Sequence, residues 1–146
     1  MRASAPADVR EFYEASAESY AAIMDSDIDL PVYSDLLGRL AERIAAPPGA
    51  LVDTSCGPGH LLLHYRERFE QSRPIIGIDL APSMVALAST TLGPSATVNR
   101  GDMRDMSDLK SEAAAAVISF FALHHLDADD AVRAMREGNR ILTTDG

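Results

Sequence analysis

The stretch Leu51-Val52-Asp53-Thr54-Ser55-Cys56-Gly57-Pro58-Gly59-His60-Leu61 holds the most chemically suggestive spacing in this chain. An apolar run ends in an acid, a turn of small residues follows, and a second apolar run opens at helical spacing. That layout predicts a strand, a tight phosphate- or nucleoside-binding turn, and a helix. Glycines suit the turn because a Cβ would hold the backbone away from a ligand. The first amides of the helix lack intrahelical partners and point at the same spot. A dinucleotide fingerprint, G-x-G-x-x-G, would use Gly57, Gly59 and position 62. Position 62 is Leu62, which disfavours a nicotinamide- or flavin-linked oxidoreductase.

Other candidate residues stand where further strands should end. Asp79 closes Ile76-Gly77-Ile78, Asp102 follows Ala96–Arg100, and Phe120-Phe121 close a run that begins at Ala114. Ligands of open α/β sheets bind outside the carboxyl ends of the strands, so these residues should converge on one cleft. His124 and His125 come next, and one of them, with His125 favoured, is a candidate general base near neutral pH. Packing or capping is the other reading of each. Adjacent histidines point in different directions and no third ligand stands at metal-site spacing, so no metal is expected. Cys56 reads as a small buried residue, because nothing near it would activate a thiolate.

The elements that must position these residues follow from periodicity. From Val9, the positions Phe12, Tyr13, Ser16, Tyr20, Ile23 and Met24 mark a helix capped by Asp8 and broken at Asp25-Ser26-Asp27. Tyr13 and Tyr20 share its stripe, either as packing or as a lid over the cleft. A second helix from Pro31 turns Leu36, Leu37, Leu40 and Ile44 inward, and Pro47-Pro48-Gly49 ends it. Helices over Leu61–Phe69 and Pro82–Thr91 then alternate with strands over Pro74–Leu80, Ala96–Arg100 and Ala114–Phe121. Asp127 caps a last helix bearing Ala131, Val132, Met135, Ile141 and Leu142. Alternating strands and helices predict an α/β fold with a parallel sheet. Residues 1–48 would be N-terminal helices on the cofactor and substrate side, and 49–146 the α/β core.

Composition narrows the partners. Of 146 residues, 13 are basic and 22 acidic, a formal net charge of -9. That balance disfavours nucleic-acid and anionic-membrane partners, both of which need a basic face. No apolar run approaches the ~20 residues of a membrane span. Met1–Ala7 lacks the apolar centre of a leader, so the expected location is the cytoplasm.

The motif D-x-S-x-G-x-G at Asp53–Gly59 resembles the first motif of class I S-adenosylmethionine-dependent methyltransferases. Gly77-Ile78-Asp79, Gly101-Asp102-Met103 and Ala116–Leu126 resemble the next three in order and spacing. The resemblance covers roughly positions 8 to 146. It implies a Rossmann-like open sheet of order 3-2-1-4, with the family's last three strands lacking. The chain is then expected to be a piece of a longer enzyme, or to have its fourth-strand edge covered by another copy. The implied cofactor is S-adenosylmethionine. Ser55, Gly57 and Gly59 would pass under its methionine and ribose, with Asp53 near the methionine end. Asp79 would bind the ribose hydroxyls, and Leu80 would pack on the adenine. Asp102 would accept from the adenine amino group, with Met103 beside it. Phe120 and Tyr20 would complete the site. Ser55 replaces the family's usual glycine and is expected to weaken binding. Ser119-Phe120-Phe121-Ala122 lacks the Asn/Asp-Pro-Pro-aromatic motif of enzymes that methylate DNA bases, so the implied acceptor is a small molecule, methylated by in-line displacement. The alternative is a non-catalytic module that binds cofactor or a partner subunit.

Overall fold

The computed structural model describes residues 5–144. The expected lack of a leader over Met1–Ala7 and the expected core over 49–146 extend beyond those residues, at 1–4 and at 145–146. Four parallel strands form one sheet: β1 (Ala50–Asp53), β2 (Ile75–Asp79), β3 (Ala96–Arg100) and β4 (Ala114–Ile118). Their spatial order is β3-β2-β1-β4, as expected. The order reverses direction between β1 and β4. Both of these strands run Asp53 against Ile118 at their carboxyl ends, which opens the crevice there.

The period-two alternation of β1 and β2 sends side chains to two separate cores, and a register shift in β4 between Ala114 and Ala116 puts those two alanines on opposite sides. Leu51, Ile75 and Ala116 pack on one face with Leu61, Leu62 and Tyr65 of α3 (His60–Arg68), and with Ala88 and Leu92 of α4 (Pro82–Leu92). The same core takes Met24 of α1 (Pro6–Asp27) and Leu37 of α2 (Pro31–Arg43). Ala50, Val52, Ile78 and Ala114 face the other way, under Met106 of the segment between β3 and β4 and Ile141 of α5 (Ala128–Ile141). Gly138 is buried on the inner face of α5, where a Cβ would make ordinary contact with the Val117 side chain of β4 at 3.5 Å.

Several boundaries differ from expectation for identifiable reasons. Helix α1 starts at Pro6, whose fixed φ suits a first helical position, so Asp8 lies within the first turn instead of capping it. The helix also runs through Asp25-Ser26-Asp27 to Asp27. His60 holds Asp25 at 2.7 Å, and the Ile28 amide donates to the Met24 carbonyl. Phe12, Ile23, Leu36, Val132 and Met135 are exposed, although helical spacing assigned them inward. Ala17, Ala134 and Gly138 take the buried positions, because close helix packing selects small residues that hydropathy does not flag. Strand β4 stops at Ile118, leaving Phe120 and Phe121 in the loop. Phe121 sits in the left-handed region with φ 56°, which a strand cannot include. Asp127 does cap α5, accepting from the Asp130 amide at 2.8 Å.

Beyond α5 the chain turns back beside β4. Leu142 pairs in parallel with Ala114, and the Thr143 amide donates to the Ala114 carbonyl at 2.8 Å. Among the described residues this bridge is the only pairing on the outer side of β4.

Candidate functional site

The carboxyl ends of the strands and α1 line an open cleft. Ser55, Asp79, Leu80, Asp102, Met103, Phe120, Tyr20 and His125 all line it. Asp53, Gly57, Gly59 and His124 stand around it without forming its wall. Arg10, Tyr13 and Arg104 do line it. Of these, only Tyr13 had a signal in the sequence, through its shared stripe with Tyr20.

The turn after β1 is built as its glycines require. Gly57 has φ 51° and Gly59 φ 90°, backbone conformations that side chains disfavour. A Cβ on Gly59 would meet the Ala88 Cα at 3.2 Å, so this glycine serves the packing of the turn on α4. Gly57 has room on its open side, where the Tyr20 ring stands 3.6 Å from a would-be Cβ. Asp79 braces this turn from the neighbouring strand. Its Oδ2 accepts the Gly57 amide at 2.9 Å, and its Oδ1 accepts the Ala81 amide at 3.0 Å. Burial raises the Asp79 pKa, while these amide bonds oppose the rise.

Asp53 is 1% exposed, far more enclosed than a cleft-lining acid. Its Oδ1 accepts the Ser55 amide at 3.0 Å, and its Oδ2 has no hydrogen-bond partner. Burial drives its pKa up to about 7, with the Asp79 charge adding to the rise against the Ser55 hydrogen bonds. The folded value lies above the unfolded one, so between about pH 4 and pH 7 only the folded state keeps this proton. Stability from this group therefore falls as pH rises through that window and levels off above it. Asp53→Asn removes the titration. Urea denaturation should show the variant gaining about 1–3 kcal/mol on the wild type from pH 5 to pH 8. A constant difference would mean that Asp53 is ionised throughout.

The far end of the cleft differs in charge. Arg104 clamps Asp102: its Nε donates to Oδ1 at 2.9 Å, a terminal nitrogen pairs with Oδ2, and its own amide donates to Oδ1 at 2.9 Å. The other terminal nitrogen reaches Asp130 on α5 at 2.5 Å. Burial alone would raise Asp102, but the Arg104 bonds and charge outweigh it and hold the pKa below the usual carboxylate range. Asp102 therefore stays an acceptor, with one lone pair on Oδ2 still available.

Across the mouth, the Tyr13 hydroxyl and His125 Nε2 are 3.1 Å apart, with their rings edge to face. Burial and then the Asp79 charge raise Tyr13, so it remains a phenol. Burial and then the charge of His124 lower His125, whose ring lies 3.9 Å from that of His124. With His125 neutral, Nε2 accepts the Tyr13 hydroxyl in one imidazole tautomer and donates to it in the other. Cys56 is buried, with burial the main cause of its raised pKa, as expected of an inert thiol.

The residues fit a nucleoside cofactor. The turn has an open glycine face, Asp79 and Asp102 line the same cleft from the ends of adjacent strands, and Leu80, Met103 and Phe120 add apolar wall. Comparison with known proteins agrees. The methyltransferase domain family matches residues 51–146, and the chain belongs to that family. It is 35% identical over 133 residues to an uncharacterized methyltransferase of Schizosaccharomyces pombe, covering 88% of this chain and 50% of that one. It is 37% identical over 70 residues to trans-aconitate 2-methyltransferase of Streptomyces avermitilis, covering 48% and 25%. Among solved structures it resembles an S-adenosylmethionine-bound amino pentose methyltransferase from Micromonospora echinaspora. That match has a TM-score of 0.66 and 29% identity, over 86% of this chain and 52% of the other. The chain thus spans a quarter to about half the length of the relatives it matches. Its fold is that of the class I methyltransferases, whose cofactor is S-adenosylmethionine.

Proposed function

We propose that this chain binds S-adenosylmethionine in the cleft and serves methyl transfer to a small, largely apolar acceptor. The single observation that supports this most is Asp79. Both of its oxygens are fixed by backbone amides, and each keeps a lone pair for a neighbouring hydroxyl. That is the arrangement needed to bind two ribose hydroxyls. Leu80 and Met103 then pack on the adenine, and Asp102 accepts from its amino group while Arg104 keeps that carboxylate ionised. Ser55, Phe120 and Tyr20 border the methionine end. When bound, the cofactor supplies an electrophilic methyl on a sulfonium centre. What the chain's own residues do is hold the partners in line and exclude water. His125 is the candidate to take a proton from the acceptor at Nε2, once Tyr13 yields that position. The acceptor class is supported by the acidic charge and the apolar lining around Phe120 and Phe121.

Isothermal titration with S-adenosylhomocysteine tests the cofactor assignment. The 146-residue chain should bind it at micromolar strength and should not bind nicotinamide or flavin dinucleotides. A folded chain that takes up neither ligand would end the proposal.

A further inference from the structure

Ser55 stands where the resemblance expects glycine, and the structure gives its hydroxyl a specific task. Beyond the last paired residues of β1 and β4, the ladder continues through side chains. The Thr54 amide donates to the Ile118 carbonyl at 3.0 Å, and the Thr54 hydroxyl approaches the same oxygen at 3.3 Å. One residue further, Ser55 Oγ and Ser119 Oγ are 3.0 Å apart, and Ser55 Oγ lies 3.5 Å from the Phe120 carbonyl. The next residue, Phe121, has φ 56° and is 55% exposed. A large side chain in the left-handed region is strained unless its neighbours hold it. The clasp sits immediately before that strained residue. It also sits before the short turn closed by the His125 amide on the Ala122 carbonyl at 3.0 Å, which carries His125 to the cleft.

We infer that Ser55 and Ser119 form a hydroxyl clasp that positions the loop after β4 against the cofactor turn, making Ser55 a positioning residue for the amino-acid end of the cofactor. This rests on the cofactor reading above. It reverses the expectation that Ser55 weakens binding: restoring the family's glycine should loosen the site. Glycine removes the hydroxyl and adds backbone freedom at the point where the loop is anchored.

The test is calorimetry of the 146-residue chain with S-adenosylhomocysteine and, separately, with adenosine. Ser55→Gly and Ser119→Ala should each weaken S-adenosylhomocysteine binding about threefold to tenfold, the range of one hydrogen bond. The double variant should bind no more weakly than the weaker single, because both lose the same bond. Adenosine, which lacks the amino-acid end, should bind all forms within about twofold. Amide exchange at Phe121–His125 should quicken in both variants. Ser119→Ala serves if Ser55→Gly folds poorly. Unchanged or tighter binding by Ser55→Gly, additive losses, or an equal loss for adenosine would each overturn the clasp. Absence of binding by the wild type would instead overturn the cofactor reading, and the clasp with it.

Discussion

Asp79→Ala is expected to weaken S-adenosylhomocysteine binding by on the order of a hundredfold or more, with the fold retained. Two effects combine. The carboxylate offers charge-assisted acceptors to two ribose hydroxyls, and each such bond contributes about 1.5–3 kcal/mol. The same oxygens hold the Gly57 and Ala81 amides, so alanine also frees the two turns that shape the site. Asp79→Asn should fall between, since its single amide oxygen can serve only one of the two turns. The affinity has a pH dependence of defined sign. Burial raises this carboxyl, so acidification protonates it early and should weaken binding as pH falls. Calorimetry from pH 8 down to pH 5 checks the sign. Affinity indifferent to both the substitution and the pH would remove Asp79 from the site.

Arg73→Ala is expected to cost about 3–5 kcal/mol of stability, a large part of the total for a domain of this size. The guanidinium is 5% exposed and gathers the end of α2 and the turn into β1. Its nitrogens donate to the carbonyls of Ile44 at 2.5 Å, Pro47 at 3.1 Å and Gly49 at 2.9 Å, and to Glu70 at 2.7 Å. Glu70 in turn accepts the Tyr65 hydroxyl at 2.8 Å. Alanine leaves these acceptors without a donor in a place that water reaches poorly. Arg73→Lys should recover only part of the loss, because an ammonium cannot span the same fork. Urea denaturation midpoints measure both variants. A loss below about 1 kcal/mol would show that the carbonyls find other partners or water on their own.

The two substitutions separate site from scaffold. Arg73 lies just before β2 and beside the amino end of β1, away from the cleft, so its variants should lose stability while any surviving folded protein keeps its ligand affinity. Asp79 should show the reverse. A chain that lost both properties together in either variant would argue that cleft and scaffold unfold as one unit.

The sequence by itself determined the framework and the stations of the cleft. The alternation of strands and helices, the glycine turn, Asp79 and Asp102 were legible because each depends on local rules: apolar runs of strand length, small residues where φ is positive, acids at strand ends; the strand order came from the family resemblance. The cap at Asp127 was legible for the same reason. What only the tertiary structure decided depends on partners distant in the chain. Asp53 and Asp79 are alike in sequence, yet one is enclosed with an unpartnered oxygen and the other faces the cleft. Arg104 reads as an ordinary surface residue until Asp130 on α5 arrives beside it. Ser55 reads as a defect in a motif until Ser119, 64 positions later, supplies the other half of its bond. Hydropathy likewise could not choose between Met135 and Ala134 for the inner face of α5, where the alanine is buried and the methionine is 67% exposed. Local rules act over a few residues, and these contacts form only when the sheet brings separate strand ends together.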